Sequence, residues 1–207
     1  MIRELGAALL NTWQSTSWVE FAAAFLAVGY LVLAVRQRLA CWPAAFASSC
    51  LYIWVLFGAR LYMESLLNGF YAAMAVYGYW QWTRGDRGRR LQVTRWPWSR
   101  HAMGLSAVFG LSAASAFLLR RFTPAAWPFV DSLVTWSSVF ATFLVARKVY
   151  ENWHWWLVID AVSLYLCFAR HLYLTMSLFA LYLFLIVIGM REWRRTAPWR
   201  AHAASAL

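Results

Sequence analysis

Apolar residues fill seven stretches of this chain, roughly 18–35, 42–58, 62–82, 101–119, 127–146, 153–169 and 172–190. A bilayer core takes about 20 mostly apolar residues of helix to cross, and somewhat fewer where polar positions face other helices. The joints between stretches are short and basic: Arg36-Gln37-Arg38, Arg60, residues 83–90, Arg120-Arg121, Arg147-Lys148 and Arg170-His171. The pattern predicts an all-α integral membrane protein of seven transmembrane helices forming a single domain over residues 1–207. The fourth stretch, with its run of alanine, serine and glycine, carries the weakest signal. Residues 1–17 lack a compact apolar core followed by a cleavage site, and read as a short amphipathic lead-in rather than a signal peptide.

Composition sharpens this reading. The chain is 63% hydrophobic and 13% charged, with 15 tryptophans, whereas soluble domains are nearer half apolar and a quarter charged. The net charge of +11 would suit a nucleic-acid partner, but the basic residues sit between the apolar runs and no soluble domain remains to present them. They fit loops facing anionic lipid instead. With the N-terminus outside, 14 of the 19 arginines and lysines fall on the inner side, so the expected orientation is N-out and C-in. The expected location is the inner membrane of a bacterium.

Sliding the chain by 111 residues matches it to itself without a gap. Glu20 falls on Asp131, Leu33 on Leu144, Arg36 on Arg147, Trp42 on Trp153 and Phe57 on Phe168. Leu61 and Tyr62 fall on Leu172 and Tyr173, Tyr71 on Tyr182, Gly78 on Gly189 and Trp82 on Trp193. The first three helices (repeat 1, about 17–82) therefore recur as the last three (repeat 2, about 127–193). A linker helix, about 101–119, stands between them. A single linker span leaves the halves parallel, and in such 3+1+3 arrangements sites lie near the midplane at the repeat interface.

Two helices carry polar faces. On the third, Glu64, Asn68, Tyr71, Ala75, Gly78 and Trp82 follow helical spacing, as do Trp153, Trp156, Asp160, Ser163 and Cys167 on the sixth. Intramembrane acids and amides are costly in lipid and face a bundle interior or a watery cavity. Each has a structural alternative. Asn68 can tie helices together, and Glu64 can cap a helix start or pair with Arg60. Asp160 can serve as a buried hydrogen-bonding group. Asp160 nevertheless lies near mid-span behind Trp155 and Trp156, and a carboxylate beside aromatic faces suits a flat cation. Tryptophans near the predicted boundaries read as interfacial anchors, and Gly78 and Gly189 as close-packing positions.

Other chemistries find little support. Cys41, Cys50 and Cys167 lack paired spacing, and His101, His154, His171 and His202 form no ligand motif. An intramembrane enzyme is therefore disfavoured, and no cofactor or metal is implied. A retinal photoreceptor would need a lysine in the last helix, and Lys148 is the chain's sole lysine.

The segment Asn68-x-x-Tyr71-x5-Tyr77-Gly78-Tyr79-x-x-Trp82 resembles the NxxYxxxxxYGWxxW signature of the PnuC-type nicotinamide riboside transporters, with Tyr79 in place of a tryptophan. Trp42-Pro43, Glu151-Asn152-Trp153-x-Trp155-Trp156 and Gly189-x-x-x-Trp193 are similar to the same family, and the resemblance covers about residues 17–195. It implies a SWEET-like 3+1+3 fold and facilitated diffusion of a small vitamin substrate, trapped inside by a cytoplasmic kinase. Asn68, Tyr71, Tyr77, Trp155, Trp156 and Asp160 are the contacts it implies, with Glu64 and Ser163 on the same polar faces. Relatives carrying thiamine or riboflavin are implied too, so the substrate stays open between nicotinamide riboside and these. The oligomeric state is also left open, a homo-oligomer included.

Overall fold

A computed structural model describes residues 18–60, 62–85, 91–122, 127–169 and 173–199. The lead-in, the Leu61–Leu172 match, Arg87, Arg89, Arg90, Arg170, His171, Arg200 and His202 lie outside the described residues. Seven helices follow one another: α1 Trp18–Val35, α2 Cys41–Gly58, α3 Tyr62–Arg84, α4 Trp98–Phe122, α5 Pro128–Ala146, α6 Asn152–Ala169 and α7 Tyr173–Arg195. Each predicted stretch became one helix, and the largest boundary shift is at the end of α7. Among the described residues there is no strand; a single bridge joins Thr94 to Val149.

Among the described residues five helices are long and apolar enough to cross a membrane: α1, α2, α4, α5 and α7 over Thr175–Arg195. The other two, α3 and α6, carry the polar faces. Glu64, Asn68 and Gln81 dilute the first, and Asn152, His154 and Asp160 the second. The packing is inverted relative to a soluble core. Phe25, Trp54, Phe117, Val158 and Phe184 lie outward, while Ala23, Ser48, Ser49, Ser112 and Ser138 are buried. Small and hydroxyl-bearing residues at helix contacts let backbones approach when the surroundings are themselves apolar.

Helix ends explain the sharp joints. Pro128 starts α5 at a position that needs no amide donor. At the end of α1, Arg38 N–H donates to Leu33 O at 2.9 Å and Gln37 N–H to Ala34 O at 3.0 Å. At the end of α5, Val149 N–H donates to Leu144 O and Lys148 N–H to Val145 O, both at 2.9 Å. This is the Schellman closure, which needs a left-handed residue after the helix. Gln37 (φ 53°) and Lys148 (φ 50°) supply it, and Lys148 Nζ donates to Gln37 Oε1 at 3.5 Å.

Helices α1, α2 and α3 pack in sequence, as do α5, α6 and α7. Across the molecule α1 packs on α7 and α3 on α5, while α4 rests chiefly on α5. Trp136 Nε1–H donates to Ser115 Oγ at 3.0 Å to hold α4 there. Four tryptophans meet where these groups join. Trp42 packs edge-on to Trp82 with centroids 5.3 Å apart, Trp153 edge-on to Trp193 at 5.4 Å, and Trp82 lies 6.2 Å from Trp193. Trp82 Nε1–H donates across to Val145 O at 3.3 Å, and Trp193 Nε1–H to Ala34 O at 3.0 Å. Each donor, each acceptor and each ring in this set has its mate 111 residues away.

The 91–97 segment before α4 is fastened to the α5–α6 joint. Thr94 N–H donates to Lys148 O, and Tyr150 N–H to Thr94 O. Glu151 receives Trp96 N–H at 3.3 Å and lies 3.7 Å from Arg95 Nε. The Arg95 guanidinium covers the Trp199 ring at 4.8 Å.

Candidate functional site

Directly beside the tryptophan cluster lies a cavity of two lobes, about 370 Å³ and 210 Å³. Ala27 and Tyr30 of α1, Tyr71 of α3 and Trp156 of α6 border both lobes. Every helix of the two triplets contributes walls, and α4 contributes none. The volume falls in the range of small-molecule sites, roughly 300–1,000 Å³.

The larger lobe is built around one face of α6. Trp156, Asp160 and Ser163 follow at steps of four and three, so their side chains stack along one side of the helix. Asp160 is 4% exposed. Tyr71 and Tyr182, mates across the 111-residue register, line the same lobe. Among the described residues that line either lobe there is no arginine, lysine or histidine. A buried carboxylate without a cation is expensive, because its hydration is lost and nothing replaces it. This site is therefore suited to a ligand that brings positive charge, stacks on indole and phenol rings, and donates hydrogen bonds.

The smaller lobe is furnished with hydroxyls and an amide. Ser48 Oγ–H donates to Ala23 O at 2.8 Å, so that proton is committed. Ser49 and Tyr52 stand one step along α2 from it. Asn68, also on this lobe, donates one amide N–H from Nδ2 to Glu64 O at 2.9 Å. At the cluster side, Trp42 borders the smaller lobe and Asn152 and Trp153 the larger. The indole nitrogens of Trp42 and Trp153 and Asn152 Oδ1 are buried without a hydrogen-bond partner among the described residues.

Of the residues that the sequence singled out, the fold brings Asn68, Tyr71, Trp156, Asp160 and Ser163 around one cavity. It places three elsewhere. Tyr77 stacks on Phe143 at 6.3 Å, and its hydroxyl accepts from Gln81 Nε2 at 3.0 Å. Trp155 packs edge-on to Phe140 at 4.9 Å. Glu64 is exposed at the start of α3. The reason is angular: Tyr77 is six residues from Tyr71, and Trp155 one from Trp156, so neither pair shares a helix face. Sequence reasoning missed Tyr30, Ser49, Tyr52, Ser138 and Asn152. A usable signal existed for two of them, since Ser49 and Tyr52 fall on Asp160 and Ser163 in the 111-residue register. Among the described residues no three of His, Cys, Asp and Glu converge as a metal site.

Comparison with known proteins gives concordant matches. The family model for the nicotinamide mononucleotide transporters matches residues 17–195. The riboflavin/roseoflavin transporter RibM of Streptomyces davaonensis is 28% identical over 187 residues, 87% of this chain and 86% of that protein. The nicotinamide riboside transporter PnuC of Escherichia coli is 25% identical over 215 residues, 91% of this chain and 90% of that protein. The crystal structure of the vitamin B3 transporter PnuC superposes with a TM-score of 0.72 at 19% identity, covering 94% of this chain and 88% of that one. The last likeness is one of fold.

Proposed function

The chain belongs to the nicotinamide mononucleotide transporter family, a family of multi-pass membrane proteins, and from that premise we propose that it carries nicotinamide riboside across the membrane by facilitated diffusion. The observation that carries the substrate is Asp160, a buried carboxylate beside Trp156 in a cavity lined by no cationic side chain among the described residues. A pyridinium ring with a ribose attached meets those demands with its charge, its flat face and its hydroxyls. Trapping inside by phosphorylation would complete net uptake, because diffusion alone only equalises concentrations. Among the described residues that line it, the cavity offers a single carboxylate and no chain of acids for coupling to protons.

In this reading all seven helices span, with the N-terminus outside in a bacterial inner membrane. They form two parallel three-helix repeats about the linker α4, as in the SWEET transporters. The swapped Trp82–Val145 and Trp193–Ala34 bonds support a two-fold relation between the halves. The two helices short of hydropathy, α3 and α6, each turn polar residues to the cavity, Asn68 on one and Asn152, Asp160 and Ser163 on the other.

A second reading is riboflavin, favoured by the 28% identity to RibM. Thiamine, another flat cation, satisfies Asp160 as well as nicotinamide riboside does. Uptake of labelled nicotinamide riboside, thiamine and riboflavin into proteoliposomes, without an imposed gradient, separates the three. Equilibration of nicotinamide riboside is expected; its exclusion while another vitamin enters would end this assignment.

A further inference from the structure

We propose that the two lobes take the two ends of one ligand: the flat ring enters the Asp160–Trp156 lobe, and the polyol or sugar end enters the lobe of Ser49, Tyr52 and Asn68, with Ser49 a specificity-determining residue. The proposal rests on the transport reading above and deepens it.

The argument comes from residues that the fold makes equivalent. The register that pairs Trp82 with Trp193 also pairs Ala45 with Trp156, Ser49 with Asp160, and Asn68 with Phe179. All six line the cavity, the first of each pair in the smaller lobe. At every one of these places the α6–α7 side carries an aromatic ring or the charge. The α2–α3 side carries a small, hydroxyl or amide group. An exactly two-fold cavity would accept a ligand in two opposite poses; this one is polarised end to end. Burying Asp160 is tolerable where a cationic or hydrogen-bond-donating ring sits against it. Thr135, Ser138, Asn152 and Ser163 give the larger lobe hydroxyls and an amide of its own, so charge is what separates the lobes: the end held against Asp160 is the ring, and the uncharged tail takes the lobe without a charged wall.

The opposite lobe has what such a tail needs. Ser49 is 6% exposed, and among the described residues its hydroxyl has no partner, whereas its neighbour Ser48 donates to Ala23 O. Asn68 has one amide N–H on the Glu64 carbonyl, which leaves its other N–H and its carbonyl oxygen for a ligand. The Tyr52 hydroxyl completes a lobe with donors and acceptors but no charge. Tyr30, Tyr71 and Trp156 border both lobes, so a ligand of one ring and one sugar would straddle them.

The test is displacement of labelled ligand from detergent-purified protein, which also reads weak competitors. Two pairs of probes are used: nicotinamide riboside with 1-methylnicotinamide, and riboflavin with lumiflavin. The second member of each pair keeps the ring and lacks the tail. Ser49→Ala and, independently, Tyr52→Phe are expected to weaken the tailed probe about 3- to 10-fold and leave the ring-only probe within about twofold. Asp160→Asn is expected to weaken both pyridinium probes about tenfold or more. Melting temperatures confirm that each variant is folded. Equal losses for both members of a pair would overturn the proposal, as would a ring-only probe that fails to compete with wild type. If wild type binds only flavins, the nicotinamide riboside assignment falls while the flavin pair still judges the lobes. If it binds no probe, both fall.

Discussion

Alanine at Gly78 is expected to unseat Trp42 and with it the junction of the two halves. A Cβ at this position would lie 2.5 Å from Trp42 Cε2 and closer still to Cζ2 and Cη2. Ordinary carbon contacts are roughly 3.5–4.0 Å, so about 1 Å of movement is demanded. Trp42 is 1% exposed and wedged edge-on against Trp82 at 5.3 Å, and Trp82 in turn abuts Trp193. Yielding toward Trp82 is blocked, and yielding the other way would push the ring into the smaller lobe of the cavity. Overpacking of this kind costs about 1–3 kcal/mol, and removing a helical glycine returns up to about 1 kcal/mol. A displacement of about 1 Å puts the overpacking in the upper part of that range, about 2–3 kcal/mol, so the net loss is about 1–2 kcal/mol, or a fall of roughly 2–8 °C for a chain of this size. Gly69, nine residues earlier on the same helix, has nothing within 4 Å of its Cβ position. Gly69→Ala should therefore melt at or slightly above wild type. Thermal unfolding in one detergent compares the two. In the Trp42→Phe background, where the ring is smaller, the Gly78→Ala penalty should shrink by at least about 0.5 kcal/mol. A Gly78→Ala protein that melts at or above wild type would refute the reasoning.

Three further outcomes are expected. Trp82→Phe and Trp193→Phe each remove one of the two swapped indole bonds. Beyond the lost ring volume they should cost similar amounts, about 0.5–1.5 kcal/mol for the bond; a several-fold disparity in denaturant or thermal stability would argue against equivalent roles. Tyr77→Phe should leave the half-saturation of uptake within about twofold, since its ring stacks on Phe143 away from the cavity; a tenfold rise would put Tyr77 in the ligand's path. Glu151→Gln weakens the hold on Arg95 and the Trp96 amide. Because Arg95 is half exposed, the loss should stay below about 1 kcal/mol, seen as faster hydrogen exchange at Trp96 with the melting temperature nearly unchanged. A collapse in melting temperature would mean that this segment supports the whole bundle.

Helix number and placement were legible in the sequence because the bilayer imposes a length and an apolar demand on every crossing segment, and both are local properties. Basic joints and Pro128 mark the ends for equally local reasons. Trp42, Gly78 and Trp82 were legible as sequence matches of Trp153, Gly189 and Trp193; that Gly78 makes room for the face of Trp42, and that the indoles of Trp82 and Trp193 bond to Val145 and Ala34, depends on distances no spacing encodes. The candidate site divides along the same line. Helical periodicity alone placed Trp156, Asp160 and Ser163 on one face, and they do line one cavity. A family-like motif, by contrast, groups residues that are near in sequence, and so it joined Tyr77 to Tyr71 and Trp155 to Trp156 although each pair points to different neighbours. Ser49, Tyr52 and Asn152 look like ordinary small or polar residues until helices from both halves close around them. A cavity is a property of facing surfaces, so which polar groups are confined with Asp160, and which merely share its helix, was decided by the tertiary structure.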